Sequence, residues 1–196
     1  MSGAGPAPGR AAPASAPGGE ERTWFFGYGS LIWRPDFPFQ ARRPARLDGF
    51  QRAFCRYSYR HRGTPERPGL VIGLRAGGSC VGMAYAVAPA HLAATLAYLD
   101  DREGAGYLRR RHSVRLLDGA GETVPAWTYL PNPAHPSYFG VQDPARLVEL
   151  VATGRGESGT ALDYLRDLIA HLAALGIREP ALAEVLAAAE QRAAGA

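Results

Sequence analysis

The chain contains no lysine; all 22 of its basic residues are arginine. That absence excludes Schiff-base chemistry on a lysine amine and a phosphate-binding P-loop, which ends in lysine. Cysteine is scarce as well. Cys55 and Cys80 are too few for a disulfide framework, lack metal-ligand spacing, and read as small buried apolar residues. The five histidines, His61, His91, His112, His135 and His171, are scattered without a helical pair or a cysteine cluster, so no metal site is expected. No dinucleotide fingerprint and no internal repeat occur, and no run is apolar for long enough to span a membrane. Residues 1–22, rich in Ala, Pro, Gly and Ser, have almost nothing to bury and lack the apolar centre of an export signal. They read as a disordered tail ahead of a single domain over 23–196, in a cytoplasmic protein.

Arginine, by contrast, is abundant, and it suits planar two-pronged capture of carboxylate or phosphate. Arg42, Arg43, Arg46, Arg52, Arg56, Arg60, Arg62 and Arg67 crowd one region, and Arg109, Arg110 and Arg111 form a second cluster. A nucleic-acid surface is one reading of this charge, but no recognition helix, zinc motif or RNA-binding signature accompanies it. Most of these arginines are expected to be solvated, with one or two serving an anionic substrate.

Trp24-Phe25-Phe26-Gly27-Tyr28-Gly29-Ser30-Leu31-Ile32-Trp33 is the most distinctive stretch. The aromatic run favours a buried strand. Glycines on both sides of Tyr28 permit a turn or a close approach of another group. Such a turn can present consecutive backbone N–H groups to a carboxylate or a developing oxyanion, or it can be a tight connection that binds nothing. Ser30 is not in a nucleophile elbow, because Ile32 stands where that motif needs glycine.

Further along, Ala45 to Tyr59 alternates as one strand or two, and His61 to Gly69 is a loop. Leu70–Leu74 and Cys80–Val87 read as strands joined by a Gly77-Gly78 hairpin turn. From Pro89 the period changes to that of a helix, with Leu92, Leu96 and Leu99 on one face. The next turn of that stripe lands on Glu103, and Gly104-Ala105-Gly106 stops the helix at once. Glu103 is thereby expected to point inward, as a poised acid–base group or as a buried partner of Arg102, Arg109 or Arg111. Asp100 and Asp101 fall on other faces and read as solvated. Strands at Tyr107–Leu117 and Thr123–Leu130 flank an Asp118–Gly121 turn, and Pro131 to Gly140 is irregular. Asp143-Pro144 starts a helix carrying Leu147, Leu150 and Val151. A second helix carries Leu162, Leu165, Leu168, Ile169, Leu172 and Leu175 to a stop at Gly176, and a last one starts near Pro180. Hairpin signals outnumber crossovers. The expected fold is α+β: a small, mainly antiparallel barrel or curved sheet with helices packed outside and a helical C-terminal part.

Several of these stretches together resemble the ChaC-type glutathione-specific γ-glutamylcyclotransferases. The matching residues are Phe26 through Asp36, Pro68-Gly69, Gly82-Met83-Ala84-Tyr85, Tyr98 through Glu103, Gly106-Tyr107, Asn132-Pro133, Tyr138-Phe139-Gly140, Gly156 through Gly159 and Tyr164-Leu165. The resemblance implies a γ-glutamylcyclotransferase-like mixed β-barrel that converts glutathione into 5-oxoproline and cysteinylglycine without metal or cofactor. It implies that Glu103 is the catalytic carboxylate and that Phe25, Phe26, Gly27, Tyr28, Gly29, Ser30 and Leu31 form the loop holding the γ-glutamyl group. It also makes Tyr138 the candidate for a late tyrosine lining the pocket. The expected partner is a small peptide, with no nucleic acid and no membrane. Two alternatives stay open: a cyclotransferase acting on another γ-glutamyl amide, and a non-catalytic module that binds an anion or small ligand.

Overall fold

The computed structural model describes residues 22–140 and 143–195. Apart from Arg22, the expected tail lies outside the described residues. Five strands close into a barrel: β1 (Thr23–Gly27), β2 (Ala41–Ser58), β3 (Gly69–Val87), β4 (Tyr107–Leu116) and β5 (Thr123–Pro131), in the order β1-β3-β2-β4-β5. Neighbours run antiparallel except where β5 returns beside β1 in parallel and closes the ring. Closure leaves no open edge at that seam. Helix α1 (Pro89–Glu103) spans the step from β3 to β4. After the barrel come α2 (Pro144–Thr153), the short pair β6 (Arg155–Gly156) and β7 (Gly159–Thr160), α3 (Ala161–Ala174) and α4 (Pro180–Ala194).

The expected Gly77-Gly78 hairpin is not a turn. β3 runs through it as one 19-residue strand against an equally continuous 18-residue β2. Ser79 pairs with Asp48 and Ala76 with Phe50, so Gly77 and Gly78 stand opposite the single residue Gly49. This is a β-bulge, and its three glycines take positive φ (+106°, +67° and +84°) where a side chain would be strained. A Gly-Gly pair between β runs carries the same local signal for a bulge as for a hairpin. Only the partner strand decides. A second bulge leaves Cys55 unpaired between Phe54 opposite Ile72 and Arg56 opposite Val71. It buries Phe54 and Cys55 in succession and turns Arg56 toward the cavity described below.

The helical part follows the sequence pattern closely. Asp143 accepts a hydrogen bond from the Ala145 N–H at 3.0 Å, and Thr160 accepts one from Asp163 at 2.9 Å, so both helices start on side-chain caps. Leu147, Leu150 and Val151 of α2, Leu162, Leu165, Leu168 and Leu172 of α3, and Leu182 of α4 are buried together. Leu175 departs from expectation. It falls one residue beyond the end of α3 and is exposed, because the chain turns away at Gly176 with φ +71°.

Candidate active site

Two elements face each other across a cavity of about 260 Å³. One is the end of α1. Leu99 is buried, Leu92 and Leu96 are partly buried, and Glu103 continues their stripe into the cavity. Gly104 ends the helix with φ +64° and its N–H returned to the Asp100 carbonyl at 2.9 Å. Glu103 is thus the last helical residue, held by packing below and released into a turn above.

The other element is the glycine turn between β1 and a 3₁₀ turn at Ser30–Ile32. The N–H groups of Ile32, Trp33 and Arg34 close back onto the carbonyls of Gly29 and Ser30 at 2.8–3.2 Å. The N–H groups just before them have no partner inside the turn, as at any helical start. The turn's carbonyls are fastened from outside. Tyr85 donates to Leu31 O at 2.6 Å, Arg42 to Ile32 O at 2.9 Å and Arg52 to Tyr28 O at 2.6 Å. Arg52 is fully buried and also ion-pairs with Glu179 at the start of α4. The Tyr28 hydroxyl donates to Tyr129 O at 2.6 Å. The two glycines serve different ends. A Cβ on Gly27 would stand 2.8 Å from the Leu31 Cβ, so Gly27 permits the turn to close on itself. A Cβ on Gly29 would project into the cavity, 3.5 Å from the Tyr164 hydroxyl, in the space a ligand needs.

Arg102 joins the two elements. Its guanidinium donates to Ser30 Oγ at 3.0 Å, Arg34 O at 2.7 Å and the Tyr98 hydroxyl at 2.7 Å, and lies 3.5 Å from Asp36. The buried-pair reading of Glu103 is not what the structure contains. Arg102 is engaged with the turn and Arg109 with Asp100 at 2.5 Å, and among the described residues no guanidinium closes an ion pair on the Glu103 carboxylate. Asp100 is likewise not simply solvated, since it also accepts from the Tyr129 hydroxyl at 2.7 Å.

Burial pushes the Glu103 carboxyl above its ordinary value of 4.5, and the nearby charges of Arg102 and Arg56 pull partly back. Tyr28, Tyr107 and Tyr164 line the same cavity. Burial pushes all three hydroxyls upward, Tyr164 to about 12, with the Glu103 charge adding to the effect. They remain neutral donors at any working pH.

Of the residues singled out in the sequence, Glu103, Phe26, Tyr28, Gly29, Ser30 and Leu31 line this cavity. Phe25, one residue from Phe26 on the same strand, faces the opposite way and packs on Phe37 with ring centroids 6.0 Å apart. Gly27 supports the turn from behind. Tyr138 lies elsewhere, in a groove with Arg75, Leu147 and Val185. The segment after β5 pairs antiparallel with β2 where Tyr138 lies opposite Arg56, and the Tyr138 side chain lies away from the cavity. The late tyrosine that lines it is Tyr164, which sits among the leucines of α3 and reads there as one more core residue. Arg56 reads in the sequence only as one of the 42–67 arginine cluster, because its direction depends on the Cys55 bulge. Arg102 was visible beside Glu103, but as a partner for the carboxylate and not as a brace for the turn.

A carboxylate with no ion-pair partner among the described residues, across a cavity from the N–H groups that open a glycine turn, is an arrangement that can carry acid–base chemistry on a small ligand. The fold is that of the γ-glutamylcyclotransferases: a crystal structure of a γ-glutamyl cyclotransferase specific to glutathione from yeast superposes with a TM-score of 0.80 at 23% identity, covering 88% of this chain and 100% of that one. The chain belongs to the ChaC-like protein family, whose model matches residues 23–192. It is 33% identical over 164 residues to glutathione-specific gamma-glutamylcyclotransferase 1 of Mus musculus, covering 82% of this chain and 74% of that protein. With the glutathione-specific gamma-glutamylcyclotransferase of Escherichia coli it shares 34% over 169 residues, 85% of this chain and 72% of that protein.

Proposed function

We propose that this protein cleaves glutathione to 5-oxoproline and cysteinylglycine, with Glu103 as general base and acid. Family membership and the activity named for its relatives support the reaction. The single observation that carries the residue assignment is the Glu103 carboxylate, without an ion-pair partner among the described residues, lining the same cavity as the glycine turn. The substrate's α-ammonium has no lone pair until a base takes a proton. Glu103, ionised, takes it, and its raised pKa brings it closer to the amine's own proton affinity. The freed amine attacks the γ-carbonyl carbon, forming the five-membered lactam, and the bond to the cysteine nitrogen breaks. The proton held on Glu103 passes to the cysteine nitrogen as its bond to the γ-carbon breaks, and the attacking nitrogen gives up its second proton through the same carboxylate. The lactam thus leaves with one N–H, cysteinylglycine leaves as an ammonium, and no net proton is taken up.

Attack within one molecule requires the glutamyl group to be folded, not a second reactant to be captured. Fixing that conformer is where binding lowers the barrier. The Gly29–Leu31 backbone is the counterpart of Glu103, grasping the α-carboxylate or the oxyanion formed on the γ-carbonyl. Of the neutral tyrosine hydroxyls around it, Tyr28 already donates to Tyr129 O and Tyr107 to Ile72 O, and none competes for the proton.

The protein is read as cytoplasmic, in keeping with two buried thiols, Cys55 and Cys80, that form no disulfide. Among the described residues no helix is long and apolar enough to cross a membrane. Many surface arginines already hold carboxylates, including Arg43 with Asp118, Arg60 with Glu157 and Arg166 with Glu190. That pairing argues against a nucleic-acid footprint. Incubating purified protein with glutathione, without added metal or nucleotide, should release 5-oxoproline. A folded protein that releases none would overturn the proposal.

A further inference from the structure

Among the described residues four guanidiniums line the cavity, those of Arg34, Arg56, Arg62 and Arg102, against one carboxylate, Glu103. Two are accounted for. Arg102 braces the glycine turn, and Arg56 lies over the Tyr107 ring at 4.6 Å, donating to Ser137 Oγ at 3.2 Å and to Glu103 O at 3.4 Å. Arg62 and Arg34 are not. Arg62 donates to the carbonyls of Ser158 at 2.6 Å and Thr160 at 3.3 Å, and among the described residues it has no carboxylate within ion-pairing distance. Partial burial weighs most against its protonated form and the like charge of Arg34 adds to it, while the more distant carboxylates of Asp167 and Asp163 offset only part of this. Two cations lining one cavity, within Coulombic reach of each other, make that part of it attractive to an anion.

We propose that Arg62, with Arg34 beside it, captures the C-terminal carboxylate of the peptide substrate and thereby selects γ-glutamyl peptides over γ-glutamyl amides whose leaving group carries no carboxylate. This rests on the cyclotransferase reading of the same cavity. Tyr164 sets the spacing. Its hydroxyl end reaches the glycine turn, and the Arg62 guanidinium lies over its ring at 5.2 Å. The glutamyl end and the cation are thus separated by about one tyrosine side chain. Two residues of extended peptide beyond the glutamyl group reach about 7 Å, which suits that gap.

Arg62 is also held in place before any ligand arrives. Its loop is clipped to the β6–β7 hairpin by Arg60 with Glu157 at 2.8 Å and His61 with Ser158 at 3.0 Å. Backbone bonds from Glu157 to Arg60 O at 2.9 Å and from Ser158 to His61 O at 3.0 Å complete the clip. A guanidinium fixed in this way loses little freedom when it closes on a carboxylate.

The experiment compares glutathione with its C-terminal amide, which is identical up to the carboxylate, as substrates of wild type, Arg62→Gln and Arg34→Gln. Wild type is expected to favour the free acid by about 10- to 100-fold in kcat/KM, chiefly through KM, as for a hydrogen bond to a charged group. Arg62→Gln should bring that ratio close to one by raising KM for glutathione, with a far smaller effect on the amide. Arg34→Gln should move it the same way by less. Equal use of both substrates by wild type, or an equal loss on both in Arg62→Gln, would overturn the assignment while leaving the cyclotransferase reading intact. No 5-oxoproline from either substrate with wild type would remove both.

Discussion

The two walls of the cavity are built on opposite terms. On the glycine-turn wall almost every carbonyl is tied down, by Tyr85, Arg42, Arg52 and the turn's own N–H groups. On the α1 wall the carboxylate of Glu103 has no ion-pair partner among the described residues, and burial makes its charge costly. A group that must hold a substrate in one conformer gains from rigidity. A group that must take and return a proton gains from having nothing else to bond. The contrast separates residues whose loss should damage chemistry from residues whose loss should damage geometry.

The largest effect should come from the free wall. Glu103→Gln keeps the shape and removes the base, and turnover should fall about 10³-fold, with KM for glutathione within a few-fold of wild type. Steady-state kinetics on a variant of unchanged circular dichroism checks this. A turnover number near wild type would take the proton transfer away from Glu103.

The fastened wall should respond in stability and KM first. Glu179→Ala leaves the Arg52 guanidinium buried and charged with only carbonyls to satisfy it. Breaking a buried pair from one side costs about 3 kcal/mol or somewhat less here, since Glu179 is itself partly exposed. Urea unfolding gives the cost, and KM should rise because Arg52 also holds Tyr28 O. Unchanged KM with lost stability would mean that the turn does not depend on this link. Gly27→Ala is milder. The new methyl would meet the Leu31 Cβ at 2.8 Å and a Tyr85 ring carbon at 3.3 Å, overpacking worth about 1–3 kcal/mol. A shift in Tm together with raised KM is expected. A neutral result would show that the turn can slide.

The same contrast explains what could be read without coordinates. Glu103 was legible because it depends on one helix and its period: Leu92, Leu96 and Leu99 set the face and Gly104 the stop. The helical C-terminal part was legible for the same reason. What failed depends on pairing between distant segments. Whether Gly77-Gly78 is a hairpin or a bulge is decided by Gly49 on the neighbouring strand. Whether Arg56 enters the cavity is decided by Cys55 dropping out of register. Tyr138 and Tyr164 both sit beside apolar residues, and only the packing of α3 against the barrel separates the one that lines the site from the one that does not.

The smallest effect carries the opposite sign. The folded state binds the Glu103 proton more tightly than the unfolded chain does, because its pKa is raised above 4.5. The stabilising contribution is therefore complete below the unfolded value and is lost as pH rises through the folded one. At neutral pH wild type retains an ionised, desolvated carboxylate that Glu103→Gln lacks. The inactive variant should therefore be the more stable protein there, by a Tm difference of a few degrees or less. Its advantage should shrink on acidification and vanish below about pH 4, where an unperturbed glutamate also protonates. Activity in wild type should run the other way, falling as Glu103 protonates, at a pH above that of an ordinary carboxylate. Thermal melts of both proteins across that range, with the wild-type pH–rate profile beside them, test a single titration twice. A variant no more stable than wild type at neutral pH would mean that Arg56 and Arg102 offset the desolvation in full, and the carboxylate would then lose the poise that its wall of the cavity is built to keep.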